Sequence, residues 1–290
     1  MNITVWGGSG FLGSYVCDAL SVAGHKVTIA DIFESRWKRK DQVMITGDIL
    51  DKSIVKRSIK EADYVFNFAG IADIDDANNN IELSSKINIL GNINLLNECI
   101  NASVKRYLFA SSLYVYSDSG GFYRCSKQAC EDYIQEYHKQ YNLDYTILRF
   151  GSLYGLRTDE KNAIYRFLNE AVKFKKVDYL GDPNALREYI HAEDAGRICA
   201  EMLHDQYKNQ NMIITGHQSL RINQLFEMIN EILGGDIQFN FSEKKESSHY
   251  KITPYKFKNK LAKKYSPDVH IAMGDGILQI LDAIKIKEKR

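Results

Sequence analysis

A chain of 290 residues with 44% hydrophobic and 26% charged residues carries enough apolar material for one large domain, or a large one with a small appendage. That balance excludes disorder, collagen and low complexity. A net charge of +1 implies no general electrostatic pull toward nucleic acid or an anionic membrane, while a local basic pocket for a phosphate stays open.

The apolar run 3–6 reads as a buried strand. Glycines follow, then a helix over 11–23 that Gly24 can end, because glycine enters the left-handed turn without strain. Strands are expected at 27–30 and 43–45, and a helix starts near Asp51, a favourable N-cap. Two more strands fall at 64–68 and 107–110. Between them Ile89, Ile93, Leu96 and Ile100 recur at helical spacing, widened by Leu95 and Cys99. A helix over 125–141 carries Cys130, Tyr133, Ile134, Tyr137 and Tyr141 on one side, and a strand follows at 145–150. Strands alternating with such helices predict an α/β fold, a Rossmann-like doubly wound parallel sheet covered on both faces. Right-handed crossovers line up the C-terminal ends of the strands along one edge, where ligands bind.

Beyond Gly155 the pattern loosens. Helices are expected at 164–173, 193–203, 220–233 and 274–284, strands at 177–180, 212–215 and 237–241, a polar loop at 244–250 and a solvated basic tail at 285–290. No Pro-rich or Ser-rich linker divides the chain. The expected organisation is a nucleotide-binding unit over 1–155 and a smaller mixed α/β substrate-binding region over 156–290, packed on the first and exchanging segments with it. The five cysteines, 17, 99, 125, 130 and 199, show no metal-ligand or redox spacing. No metal is expected. With no export signal and no run of about 18 apolar residues, the expectation is a soluble, cytoplasmic protein without membrane or nucleic-acid partners.

The string from Gly7 to Gly13 (GGSGFLG) sits between the first strand and the first helix. Glycines 7, 10 and 13 allow backbone amides to approach a pyrophosphate at the helix N-terminus. Asp31, eighteen residues beyond Gly13, ends the second strand. A carboxylate there accepts both ribose hydroxyls of an adenosine and repels a 2′-phosphate, which favours NAD over NADP, with Arg36, Lys38 and Arg39 tempering the exclusion. Tyr123 and Lys127 form a YxxxK one helical turn apart, so both project from one face. A lysine ammonium beside a phenol stabilises the phenolate.

The GxxGxxG spacing resembles the extended short-chain dehydrogenase/reductase family, in particular its NAD-dependent nucleotide-sugar epimerase and dehydratase group. Gly47–Asp51 (GDILD) is similar to the family's GDxxD, Asn67–Gly70 (NFAG) to its NxAG, and Ala110–Tyr116 (ASSLYVY) to its SSxxVYG. Leu148–Gly155 (LRFGSLYG) resembles LRxxNVYGP, with Ser152 in place of the usual Asn, and Arg187–Asp194 (REYIHAED) resembles RDFIHVDD. The resemblance implies that Ser112, Tyr123 and Lys127 are catalytic. It implies cofactor contacts from Gly7, Gly10, Phe11, Leu12, Gly13, Asp31, Asp48, Ile49, Phe68, Ala69, Gly70, Asn88, Ser111 and Phe150, and from Tyr123 and Lys127 themselves. Substrate contacts fall to Ser112, Tyr114, Ser152 and Arg187, the last through its forked donors to a nucleotide diphosphate. His191 is expected to be a structural hydrogen-bonding residue.

A phenol tuned by Lys127 can take a proton from a sugar hydroxyl while hydride passes to the nicotinamide. A 4,6-dehydratase of the family carries an Asp-Glu pair directly after its Ser/Thr; here Leu113 and Tyr114 stand there, which demotes dehydration. The expected activity is epimerisation, at C4 of the hexose of a nucleotide-diphosphate sugar through a 4-keto intermediate. The alternatives are a nucleotide-sugar dehydrogenase or reductase with net redox change, and a cofactor-binding regulator without turnover. Only residues 117–122 separate Tyr116 from Tyr123, where the family has a longer loop, and Pro183 follows Asp182 where a glycine is usual. A homodimer through the helices after the fourth and fifth strands is expected from the resemblance.

Overall fold

The computed structural model describes residues 1–217, 219–242, 251–252 and 263–288. The loop expected at 244–250 and residues 289–290 of the tail lie outside them.

The nearly continuous apolar first strand, β1 (Asn2–Trp6), is explained by its position. It lies between two parallel neighbours, β2 (Lys26–Asp31) and β4 (Tyr64–Asn67), where both faces of a strand are covered. With β3 (Val43–Thr46), β5 (Arg106–Ser112), β6 (Asp144–Phe150), β10 (Gln210–Ile214) and β13 (Lys263–Tyr265) it forms an eight-stranded sheet in the order β13-β10-β6-β5-β4-β1-β2-β3, with every pairing parallel. The 3-2-1-4-5-6 order of its first six strands is that of the doubly wound nucleotide-binding fold, in which the chain reverses direction at the β1/β4 boundary and opens a crevice there.

Helices cover both faces. On one side α2 (Lys52–Ile59), α5 (Gly91–Asn101) and α6 (Gly121–Tyr141) pack over a core that includes Trp6, Val65, Tyr107, Leu95, Ile134 and Ile147. Asp51 caps α2 as expected, its carboxylate accepting from the amides of Ser53 and Ile54. On the other side α1 (Phe11–Val22) lies against α8 (Ala192–Glu201), over a core of Ile3, Val5, Leu20, Ile29, Leu148 and Ile198. The contact is close. A Cβ on Gly196 of α8 would stand 2.8 Å from the Tyr15 carbonyl oxygen.

A third core joins α7 (Ala163–Phe174), α9 (Ile222–Ile232) and α10 (Met273–Glu288) through Phe167, Phe226 and Ile280. It is flanked by β8 (Lys176–Leu180) paired with β12 (Gln238–Ser242). A small sheet of β7 (Ser152–Tyr154), β9 (Leu186–His191) and β11 (Ser219–Arg221) stands beside it. The sequence pattern missed β7, β9, β11 and β13, and the short helices α3 (Ile74–Asn79) and α4 (Ile81–Ser85). β7, β11 and β13 have three residues each and α3 and α4 at most six, too short for a period to register, while β9 buries Arg187, Glu188 and His191 and so shows no apolar pattern. α10 runs to Glu288, four residues past its expected end, and α6 begins at Gly121 rather than near Cys125. The second change places Tyr123 inside the helix.

Candidate active site

The glycine string folds into a turn whose shape forbids side chains at two of its positions. Gly7 has φ +77°, and a Cβ there would lie 2.5 Å from the Ala69 amide nitrogen; a Cβ on Gly13 would lie 2.1 Å from the Gly7 carbonyl oxygen. The loop after β4 thus presses on the turn from one side, and α1 on the other. Gly10 is the N-cap of α1 and no side chain caps it. The first intrahelical bond is Ser14 N–H to Gly10 C=O, so the amides of Phe11, Leu12 and Gly13 point out of the helix end, where partial positive charge attracts an anion.

Asp31 stands at the end of β2 beside this turn. Its Oδ2 accepts from the Ser9 amide at 3.0 Å and Oδ1 from the Phe33 amide at 3.2 Å. Burial pushes its pKa up, against the pull of those amides. From Asp31 a cleft runs past Ile32, Asp48, Ile49, Ala69, Gly70 and Ile87. An uncapped helix end, a carboxylate and an apolar slot in that order fit a pyrophosphate, a ribose and a planar base. Of the nearby basic residues, Lys38 donates to the Arg39 and Gln42 carbonyls and Arg39 pairs with Asp41 at 3.0 Å. Two of the three basic side chains that tempered the choice of NAD are therefore engaged within their own loop.

Ser112 ends β5, and its hydroxyl oxygen accepts from the Tyr114 amide at 3.3 Å, opening a 3-10 turn over Leu113–Tyr116. Lys127 is 7% exposed; its ammonium donates to the Ala110 carbonyl at 2.7 Å and lies 5.8 Å from the centre of the Tyr123 ring and 4.7 Å from that of Phe109. Burial pulls its pKa down, opposed by Cys130 and Glu131. The fold therefore sets Lys127 beside Tyr123 and bonds it to β5 two residues before Ser112, which ends that strand. The short loop before α6 closes through Gly120 (φ +96°) and Gly121 (φ +49°), and the Asn78 side chain accepts from the Phe122 amide at 3.0 Å. Tyr114 meets Tyr123 edge to face, ring centres 6.2 Å apart.

Two residues expected at the cofactor spend their side chains elsewhere. Asn88 lies on a π-helical turn over Lys86–Leu90, and its carboxamide accepts from the Ile71 amide and donates to the Ile71 carbonyl and the Ser126 hydroxyl. It ties the loop after β4 to the α6 turn between Tyr123 and Lys127. The Ser111 hydroxyl donates to Glu131 at 2.6 Å, which leaves its backbone to face a cofactor. Phe68 and Phe150 meet with ring centres 6.3 Å apart.

Ser152 and Arg187 lie on paired strands, where Ser152 is the register partner of Tyr189. By alternation both project to one face of the small sheet. Arg187 is buried, with Nη1 donating to the Leu186 carbonyl at 3.1 Å. His191 accepts the Glu193 amide on Nδ1 as the cap of α8, and burial lowers its basicity. Sequence reasoning did not single out Glu131, Asn78 or Ser126. Glu131 carried a signal, since it stands one turn beyond Lys127 on the same face.

The chain matches the model of the NAD dependent epimerase/dehydratase family over residues 3–215. A Methanocaldococcus jannaschii protein provisionally named UDP-glucose 4-epimerase is 27% identical over 271 residues, covering 86% of this chain and 88% of its own. UDP-glucuronic acid decarboxylase 1 of Xenopus tropicalis is 21% identical over 94% of this chain and 70% of its own. In fold the chain resembles UDP-glucose 4-epimerase of Thermotoga maritima, solved with UDP-glucose, with a TM-score of 0.86, 22% identity and coverage of 99% and 100%. The glycine turn, the Asp31 cleft and the grouping of Ser112, Tyr123 and Lys127 agree with the family match, and the chain is an enzyme of the NAD-dependent epimerase/dehydratase family with NAD as its cofactor.

Proposed function

We propose that the enzyme epimerises a nucleotide-diphosphate sugar at C4 of the hexose. The observation that carries this reading is the make-up of the β5 edge: Ser112, Tyr123 and Lys127 are grouped, while the two positions after Ser112 hold a buried Leu113 and Tyr114 packed on Tyr123. An alcohol-to-ketone step needs a base for the hydroxyl proton and a donor for the resulting oxygen, and those three residues supply both. Loss of water from the sugar needs an additional acid beside C6, and neither Leu113 nor Tyr114 is a carboxylic acid.

Tyr123 removes the hydroxyl proton and returns it, and the adjacent ammonium of Lys127 stabilises the phenolate. Ser112 holds the same oxygen. NAD, when bound, supplies reversible hydride acceptance. Between the two half-reactions the ketone must present its other face. Phe11, Leu12 and Gly13 amides and Asp31 hold the dinucleotide, with Gly7, Gly10, Asp48, Ile49, Phe68, Ala69, Gly70 and Phe150 lining its path. Ser152 and Arg187, on one face of β7 and β9, hold the nucleotide diphosphate. The unit over 1–155 supplies the cofactor site together with Ser112, Tyr114 and Ser152, and the region over 156–290 adds Arg187 to the substrate site.

We further propose a homodimer through α5 and α6, because Leu90, Tyr133 and Tyr141 are large apolar side chains left 45–60% exposed on and beside these helices. A cytoplasmic setting suits five reduced cysteines. The test is incubation of the purified enzyme with a panel of nucleotide sugars, followed by nicotinamide absorbance and product NMR. Epimerisation gives a C4 epimer with no net absorbance change; stoichiometric reduced cofactor would instead establish a dehydrogenase. Tyr123→Phe should abolish hydride exchange and retain NAD, and turnover at the wild-type rate would remove Tyr123 from the mechanism.

A further inference from the structure

Beneath the catalytic edge, β5, β6 and α6 meet at a closed group of polar side chains. Glu131 is 2% exposed and stands one turn after Lys127. Its Oε1 accepts from the Ser111 hydroxyl at 2.6 Å and from Arg149 Nε at 2.9 Å, and its Oε2 accepts from Arg149 Nη2 at 2.6 Å. Arg149, also 2% exposed, donates from Nη1 to the Tyr116 hydroxyl and lies with its guanidinium carbon 4.8 Å from the Tyr116 ring centre. Ser111 and Arg149 are register partners across β5 and β6, and Ser112 follows directly.

Two successive turns of α6 are thus bonded to two successive residues of β5: Lys127 to the Ala110 carbonyl and Glu131 to Ser111. Burying an ion pair is a poor way to gain stability, since a well-packed apolar pair of like volume holds a helix to a sheet as well or better. What the pair adds is direction and charge. We propose that Glu131, clamped by Arg149 and Tyr116, is a positioning residue that sets the β5 edge bearing Ser112 in register with the α6 turn bearing Tyr123 and Lys127. It touches neither sugar nor cofactor. Around Lys127 the charged and titratable groups are Tyr123, Cys130 and Glu131 on α6 itself, with Arg149 of β6 and Tyr116 of the 3-10 turn behind Glu131. Glu131 therefore also favours the ammonium form of Lys127.

The inference rests on the hydride-transfer reading above, so the experiment has one arm that needs activity and one that does not. In the first, Glu131→Met/Arg149→Met replaces the pair by apolar side chains, which removes the direction without leaving a lone buried charge. With NAD loaded and the nucleotide sugar that the wild type turns over, kcat should fall about tenfold or more at unchanged KM. Ser111→Ala removes one hydrogen bond, keeps the ion pair, and should lower kcat several-fold. A folded double variant, or a Ser111→Ala enzyme, with wild-type kcat overturns the proposal. In the second arm the 13Cε resonance of Lys127 is titrated in Glu131→Gln, and it should titrate at lower pH than in the wild type. An unmoved titration overturns the proposal even if no nucleotide sugar is turned over, which would itself refute the functional reading instead.

Discussion

Gly13→Ala tests whether the dinucleotide cradle is set by a backbone contact that tolerates nothing larger than hydrogen. The added Cβ would stand 2.1 Å from the Gly7 carbonyl oxygen, with the Gly7 carbonyl carbon at 2.8 Å and the Gly8 Cα at 2.9 Å. Ordinary contact begins near 3.4 Å, so α1 or the turn must give by about 1.3 Å, and all three obstacles are backbone. Overpacking of this kind costs about 1–3 kcal/mol, or roughly 2–10 °C in melting temperature for a chain of this size. The effect on NAD should be larger than the effect on folding. A shift of about 1 Å takes an amide out of hydrogen-bond range of a phosphate, and a bond to a charged group is worth about 1.5–3 kcal/mol, or ~10–150-fold in Kd. Calorimetric titration with NAD, beside thermal unfolding of the protein stripped of cofactor, separates the two quantities. Gly274→Ala in α10 is the control, because no atom lies within 4 Å of the Cβ it would add. Wild-type melting and wild-type NAD affinity in Gly13→Ala would show that the helix–turn contact is slack and that the argument from its closeness is wrong.

Two further outcomes are expected. Lys127→Met should raise the melting temperature while lowering hydride transfer by about 10²-fold or more, since it removes an ammonium whose protonation burial opposes; a variant that melts earlier and still turns over refutes both halves. His191→Asn should flatten the acid side of the stability curve. Burial holds the folded-state value of His191 below its ordinary 6.5, so between the two values the unfolded chain binds more protons, and stability is lost as pH falls from about 6.5, by ~1.4 kcal/mol per pH unit at most for one group. His25 shifts the same way but is present in both proteins. Urea midpoints measured from pH 7.5 down to 5 should therefore converge on acidification, and parallel curves would exclude His191 as a source of the slope.

How far the sequence revealed this enzyme depended on what each segment has to do alone. The buried strands β1, β4, β5 and β6 were legible because a parallel strand covered on both faces must be apolar throughout. Asp51 was legible because a cap acts on its own helix. Gly7 and Gly13 could be placed, but their purpose became clear only against Phe68, Ala69 and the turn itself, contacts that cross more than fifty residues of chain in the first case. The small strands β7 and β9 were illegible for a different reason. Their residues serve each other across the register, Tyr154 against His191 with ring centres 5.2 Å apart; the three residues of β7 carry no period, and the buried Arg187, Glu188 and His191 hide that of β9.

The candidate site shows the same division. Tyr123 and Lys127 share a face by helical spacing, and Ser112 was marked by the resemblance of Ala110–Tyr116 to SSxxVYG. Asn88 and Ser111 were recognised as important, but the direction of their side chains depended on partners, Ser126 and Glu131, that belong to another element. Hydrogen-bond direction is a tertiary property: a carboxamide or hydroxyl names its donors and acceptors, and only the fold says which of them it meets. Among the residues expected at the ligands, Asn88 and Ser111 have side chains bonded to other elements of the protein. Asn88 secures the α6 turn to the cofactor loop, and Ser111 secures the β5 edge to Glu131. The proposed epimerisation, in which one carbon is oxidised and then reduced from opposite faces, calls for a rigid base and a mobile ketone. Here the rigidity is concentrated beneath β5 and α6, where Lys127 bonds the Ala110 carbonyl and Glu131 bonds Ser111 and Arg149.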